Sequence, residues 1–290
     1  MAEQLRIGMI QANIVWEQKE ANFALYERLL GKLAGKVDLV VMPEMFATGF
    51  TMNASAMGEP NDGVTMQHVS EWAKRYATAI SGSFIAIGGE QYFNYNGHCS
   101  IDIASSKIDA SESLVNVREQ YFNRAFFAKP DGSVSFYDKR HLFRMAHEDR
   151  YFASGDKHMI VEYQGWHICM QVCYDLRFPV WSRNTDNGYD LLIYVANWPE
   201  ARRNAWISLL QARAIENLSY VCGVNRAGTN GSGILFHGDS MIFSYKGERL
   251  ANLGKRANSV SVITLEKSPQ ERFRQKFPAW MDADHFTIES

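Results

Sequence analysis

The sequence predicts an α/β protein of mixed β-sheets with helices on the outside, and three observations carry that expectation. Apolar strand-like runs alternate with segments of helical period through the first half of the chain. The second half adds strand pairs with no helix between them, which an all-parallel sheet would not supply. No linker and no shift in composition divides residues 1–290, so one domain is expected, and 46% hydrophobic residues are ample for one large core.

Taken in order, Leu5, Ile7 and Met9 alternate with other residues and predict a first strand. Phe23, Tyr26, Leu30 and Leu33 fall at helical spacing, with Gly35 suited to the helix end. Leu39 to Met42 is a continuous apolar run of the kind covered on both faces, and Pro43 and Glu44 follow it. A second helix is expected from Thr65 to Ala79, then a strand through Gly82–Gly89. Asn123 to Lys129 and Ser133 to Tyr137 predict a hairpin joined by Pro130-Asp131-Gly132, with Lys139 two residues beyond. Trp166, Ile168, Met170 and Val172 alternate with His167, Cys169, Gln171 and Cys173, a pleated period. Asp175, Arg177 and Pro179 then favour turning out of the sheet, which leaves Cys173 at the strand's end. Leu191 to Ala196 reads as a buried strand ending in Asn197-Trp198-Pro199, and Trp206, Leu209, Leu210 and Arg213 mark a helix towards Asn217. Tyr220 to Val224, Gly238 to Ser244 and Ser259 to Leu265 complete the strands.

Glu90-Gln91-Tyr92-Phe93-Asn94 recurs word for word at 119–123, too short and isolated for a solenoid. The weakly periodic stretch between the copies, at about 91–119, is expected to be an inserted excursion in the form of an extended hairpin. The two copies are expected to compete for one strand position, with rapid proteolysis within Ser105 to Glu112.

A net charge of -2 argues against nucleic acid or an anionic membrane as the main partner. Cys99, Cys169, Cys173 and Cys222 show no disulfide-framework spacing, and the first residues lack a signal peptide's apolar core. No run approaches the roughly 20 apolar residues of a membrane span. The expectation is a soluble, cytoplasmic protein with free thiols.

Two readings of Cys173 need a test. His167, Cys169 and Cys173 share a strand face, yet four residues of strand span roughly 13 Å, too far for two thiolates to share zinc or to form a disulfide. Inert packing or a nucleophile remains. Glu44, Lys139 and Cys173 each follow an apolar strand, so neighbouring strands can bring all three to one rim. Taken singly, the duller reading is favoured for each, Glu44 as a helix cap and Lys139 as a solvated turn residue.

The combination resembles a known family. VMPEMFATGF, YDKRHLF and VCYDLRFP match the Glu, Lys and Cys motifs of the nitrilase superfamily, the carbon–nitrogen hydrolases. ANWPEARRNAW, LLQARAIENLSYV, GVNRAGTNG and FPAWMDADHF extend the resemblance over nearly the whole chain, and look most like the omega-amidase branch. The resemblance implies a four-layer α-β-β-α sandwich, paired into a homodimer or higher homo-oligomer, with no metal or organic cofactor. It implies Cys173 as nucleophile, Glu44 as general base and Lys139 as cationic partner, with Glu148 as a second carboxylate and Asp149 beside it as the alternative. The backbone N–H of Tyr174 and Lys139 are expected to meet the oxyanion. The ammonium of Lys139 is expected to depress the Cys173 pKa and make this thiol the fastest to alkylate.

Omega-amidases act on small amide-terminated carboxylates such as 2-oxoglutaramate and 2-oxosuccinamate. A carboxylate at the far end calls for a guanidinium. Arg177, Arg202 and Arg203 are the candidates, with Trp198 as an apolar wall, although each arginine has an equally good reading as a surface or structural residue. The competing readings are another reaction of the superfamily (nitrile, carbamoyl-amide or peptide-like amide hydrolysis) and a catalytically silent scaffold.

Overall fold

The computed structural model describes residues 3–93 and 116–288, with the backbone alone for 89–93 and 116–118. In the first half lie β1 (Gln4–Gln11), α1 (Lys19–Leu33), β2 (Leu39–Val41), a single turn α2 (Ala54–Met57), α3 (Val64–Tyr76), β3 (Ala79–Phe93), β4 (Asn116–Ala128) and β5 (Val134–Asp138). The second half holds β6 (Ile160–Tyr163), β7 (Trp166–Val172), β8 (Leu191–Ala196), α4 (Arg203–Asn217), β9 (Tyr220–Asn225), β10 (Ala227–Thr229) and β11 (Leu235–His237). It closes with β12 (Met241–Phe243), β13 (Arg249–Asn252), β14 (Ser259–Glu266) and α5 (Lys267–Lys276).

Two six-stranded sheets result, in the orders β14-β1-β2-β3-β4-β5 and β13-β12-β9-β8-β7-β6, with β10 and β11 as a separate hairpin. The alternation in each strand decides the layering. Ile7 and Met9 of β1, Leu39 and Val41 of β2, Ile168 and Met170 of β7 and Ile193 of β8 share one core between the sheets. The opposite face of the first sheet, with Val40, Ile80 and Phe126, packs on Phe23 and Tyr26 of α1 and Trp72 of α3. The opposite face of the second sheet, with Leu192 and Tyr194, packs on Trp206, Leu210 and Ala214 of α4. The chain is a four-layer α-β-β-α sandwich. Each fully buried Leu, Ile or Phe contributes roughly 1.5–3 kcal/mol.

The boundaries differ where a local conformation intervenes. Helix α3 stops at Tyr76 because Ala77 is left-handed (φ 49°) and its N–H closes back on Ala73 and Lys74. Ala79, expected as helix, therefore opens β3. Strand β4 begins seven residues before Asn123, and antiparallel pairing with β3 runs out to Phe93 opposite Asn116. Glu90 to Phe93 of the first copy lie on β3 and the second copy on the neighbouring β4, with Glu90 opposite Glu119, so the described part of each copy has its own place rather than competing for one. Residues 94–115, with Cys99 and the expected cleavage window, lie outside the described residues.

Strand direction positions the site. β2 and β3 are parallel, and β4 and β5 each reverse, so β5 runs the same way as β2. In the other sheet β7, β8 and β9 are parallel. Glu44, Lys139, Cys173 and Asn197 thus all follow the carboxyl ends of strands.

Candidate active site

Cys173 leaves β7 on a strained backbone, with φ at 44° in the left-handed region that disfavours a residue bearing a side chain. Asp175 holds this turn. Its carboxylate accepts hydrogen bonds from the Val172 N–H (3.0 Å), the Tyr137 hydroxyl (2.8 Å) and the His141 N–H (2.9 Å). Tyr137 and His141 flank Lys139 in sequence, so one buried carboxylate ties the cysteine turn to the lysine loop.

Lys139 is fully buried, which rules out the solvated-turn reading. Its Nζ lies 3.0 Å from Glu44 Oε1 and 2.9 Å from both oxygens of Glu148. Glu148 also accepts the Phe143 N–H at 2.6 Å, and it is fully buried while Asp149 is exposed. Glu148, not Asp149, is therefore the carboxylate that joins Glu44 on the Lys139 ammonium. Glu44 Oε1 accepts Asn123 Nδ2 at 2.7 Å, and Oε2 accepts the Asn197 N–H at 2.8 Å. Asn197 Nδ2 donates to the Glu44 carbonyl at 2.6 Å, closing the gap between the sheets. Oε2 thus has one short bond and keeps capacity for another proton.

The electrostatics correct one expectation. Burial, then the Glu44 carboxylate, push the Cys173 thiol well above its usual pKa, and the pull of Lys139 does not offset them. One ammonium against two carboxylates leaves net repulsion for a thiolate. Burial works against the Lys139 ammonium too, but the carboxylates of Glu148 and Glu44 overcome it and raise its pKa. Burial raises the Glu148 pKa despite the nearby lysine.

Glu44, Lys139, Cys173 and Asn197 face a cavity of about 420 Å³ lined chiefly by aromatic and apolar side chains, among them Trp16, Phe50, Phe143, Tyr174, Trp198 and Phe236. Arg177 and Arg202 line it as well, and neither forms an ion pair with a described carboxylate. The Arg177 guanidinium stacks 5.0 Å from the Trp198 ring and that of Arg202 lies 5.0 Å from the Phe143 ring. Trp198 donates its indole N–H to the Arg202 carbonyl at 2.8 Å.

Arg203 does not reach the cavity. It opens α4 and pairs with the buried carboxylate of Asp239 at 2.5 Å, so its place in the substrate-binding set is withdrawn. Sequence reasoning also missed Asn123 and the hydrogen-bonding role of Asn197. Asn123 entered the sequence reading only as the last letter of the repeated word and the first residue of a predicted strand.

The sequence profile of the carbon–nitrogen hydrolase family matches residues 6–275. The chain belongs to the carbon–nitrogen hydrolases. It is 40% identical to the omega-amidase YafV of Escherichia coli (strain K12), over 98% of each chain. It is 27% identical to the 2-oxoglutaramate amidase of Bacillus subtilis (strain 168), over 95% of this chain and 96% of that one. A solved carbon–nitrogen hydrolase superfamily protein from Xanthomonas campestris, carrying an arsenic adduct in its active site, superposes with a TM-score of 0.85 at 36% identity. That match covers 99% of this chain and 100% of the other. Nit3 of Saccharomyces cerevisiae, at 20% identity and a TM-score of 0.76 over 96% of each chain, shares the fold. Among the described residues no group of three or more His, Cys, Asp or Glu is placed to hold a metal, and no helix is long and apolar enough to cross a membrane.

Proposed function

We propose that this carbon–nitrogen hydrolase is a cysteine-dependent omega-amidase that releases ammonia from a small dicarboxylic acid monoamide of the 2-oxoglutaramate or 2-oxosuccinamate type. The observation that carries the reading is a partly accessible cysteine sharing one cavity with the buried Glu44–Lys139 pair, which Glu148 backs from behind, and with two arginines that pair with no described carboxylate. Kinship with the YafV omega-amidase supports the same substrate class.

The chemistry follows from the charges. Glu44 Oε2 takes the thiol proton as Cys173 Sγ attacks the amide carbon, so a free thiolate is not needed beforehand. The Tyr174 N–H, in the first turn after the strand and without an intrahelical partner, meets the developing oxyanion beside Lys139, at roughly 3–4 kcal/mol per donor. Glu44 returns the proton to the nitrogen, the C–N bond breaks and ammonia departs. Water then attacks the thioester with Glu44 again as base, and the C–S bond breaks as Cys173 regains its proton. Glu148 holds the Lys139 ammonium in place. Arg177 and Arg202 receive the far carboxylate, with Trp198 as the wall between them.

The whole chain acts as one domain in this reading, a cytoplasmic homodimer. Val180 and Phe286, both exposed, line a surface cleft with Ala279 and Ala283 that suits a subunit contact. Sedimentation at micromolar concentration checks the dimer; a monomer there removes it. Function is tested by ammonia release from 2-oxoglutaramate, glutamine, a simple nitrile and a carbamoyl amine, with Cys173→Ala beside the wild type. Fast, Cys173-dependent release from the oxo-amide alone is expected. Turnover of another member of the panel keeps the nucleophile and discards the substrate.

A further inference from the structure

Arg226 lies between β9 and β10 and is fully buried. Its guanidinium meets oxygen atoms that carry no formal charge. Nη2 donates to the carbonyls of Ile14 (2.9 Å) and Thr229 (3.2 Å) and to the Asn13 amide oxygen (3.4 Å), and Nε to the Ala227 carbonyl (3.4 Å). Nη1 has no hydrogen-bond partner among the described residues. No described carboxylate pairs with it, unlike the buried Arg274, which has Asp190. Tyr26 is the neighbour with electrostatic reach, but burial raises its phenol pKa, so it stays neutral. Burial lowers the Arg226 pKa to about 10, which leaves the group charged at neutral pH.

An unpaired buried cation is expensive, and a neutral donor such as glutamine could satisfy the same carbonyls without the charge. Its position suggests what the charge is for. The guanidinium sits 4.8 Å from the centre of the Phe236 ring, which lines the catalytic cavity. A Cβ on Gly49, next to the cavity-lining Phe50, would come within 3.4 Å of Nη1. One aromatic layer thus separates the charge from substrate, in a region where water screens little.

We propose that Arg226 is a specificity-determining residue whose buried positive charge raises the cavity's affinity for an anionic amide, behind the direct contacts of Arg177 and Arg202. This rests on the carboxylate-bearing substrate proposed above. A purely structural role, tying the Trp16 segment to the β10–β11 hairpin, would affect all substrates alike.

The test measures KM and kcat for glutaramate, an anion, and for pentanamide, its neutral counterpart of equal chain length, in the wild type, Arg226→Met and Arg226→Lys. The methionine variant should raise KM for glutaramate about tenfold more than for pentanamide. The lysine variant should keep most of the preference for the anion. Equal effects on both substrates, or an unchanged preference in Arg226→Met, overturn the proposal. Should neither variant fold, the wild type decides through salt. From about 0.05 to about 0.5 M, a buried charge keeps much of the anion preference, whereas loss of all of it assigns the preference to the half-buried Arg177 and Arg202 at the cavity wall and overturns the proposal. A wild type with no preference for glutaramate overturns the carboxylate reading itself; that failure is visible before any variant is made.

Discussion

Cys173 shows how a single residue's chemistry depends on charges it does not carry. Burial and the Glu44 carboxylate raise the pKa of its thiol, so in the proposed mechanism the proton leaves during attack. Cys173→Ala should abolish turnover with little change in melting temperature; residual turnover would refute the assignment. Glu148→Gln keeps the shape but removes one of the two charges on Lys139, and kcat should fall at least about tenfold with a smaller change in KM. A change confined to KM would place Glu148 in binding instead. The arginines separate in the same way. Arg177→Ala and Arg202→Ala should raise KM for glutaramate more than for pentanamide, whereas Arg203→Ala should show no such split, because Arg203 is spent on Asp239. Equal effects of Arg177→Ala and Arg202→Ala on both amides would count against carboxylate recognition.

At the scale of elements, β2, β5, β7 and β8 each lead into one residue of the candidate site, and the turn behind each strand fixes its aim. The turn after β7 depends on Asp175, which binds the Val172 N–H on its own side and Tyr137 and His141 on the lysine loop. Asp175→Asn places an amide NH₂ against some of those donors, and each mismatched buried donor costs roughly 1–3 kcal/mol. Loss of most kcat together with a fall of several degrees in melting temperature is expected. Unchanged kcat would show that the turn holds without it. The carboxyl-terminal helix has an analogous anchor in Asp190, which pairs with Lys267 at 2.9 Å and Arg274 at 3.1 Å. Asp190→Ala leaves Arg274 buried and unpaired, at a cost of about 3 kcal/mol. Hydrogen exchange should then open α5 ahead of the sheets; uniform exchange would argue against it.

Among the described residues the thiols of Cys169 and Cys222 are buried and that of Cys173 partly so, and burial raises the pKa of each, Cys169 to about 12. In the unfolded chain they ionise near pH ~8.5. Above that pH the unfolded state binds fewer protons than the folded one, so stability is intact below it and lost as pH rises towards the folded values. Denaturant titrations should show stability falling by about 1.4 kcal/mol per pH unit for each thiol that titrates on unfolding. Cys222→Ala should make that slope shallower; an unchanged slope would show that the thiols are not its source.

The local sequence determined the elements and the place of Cys173 in them. Strand and helix periods, the Pro130-Asp131-Gly132 turn and the break after Val172 are short-range signals, readable because backbone preference and side-chain alternation act over a few residues. That Glu44, Lys139 and Cys173 follow strand ends was legible for the same reason. Tertiary structure alone decided which carboxylate meets Lys139, since Glu148 and Asp149 are chemically alike and differ only in which side of one turn faces inward. It decided that Arg202 faces the cavity while Arg203 turns to Asp239, and that two carboxylates outweigh one ammonium at the sulfur. Such outcomes depend on distances between residues far apart in the chain. Coulombic interaction and burial act through those distances, and residue order carries no direct record of them.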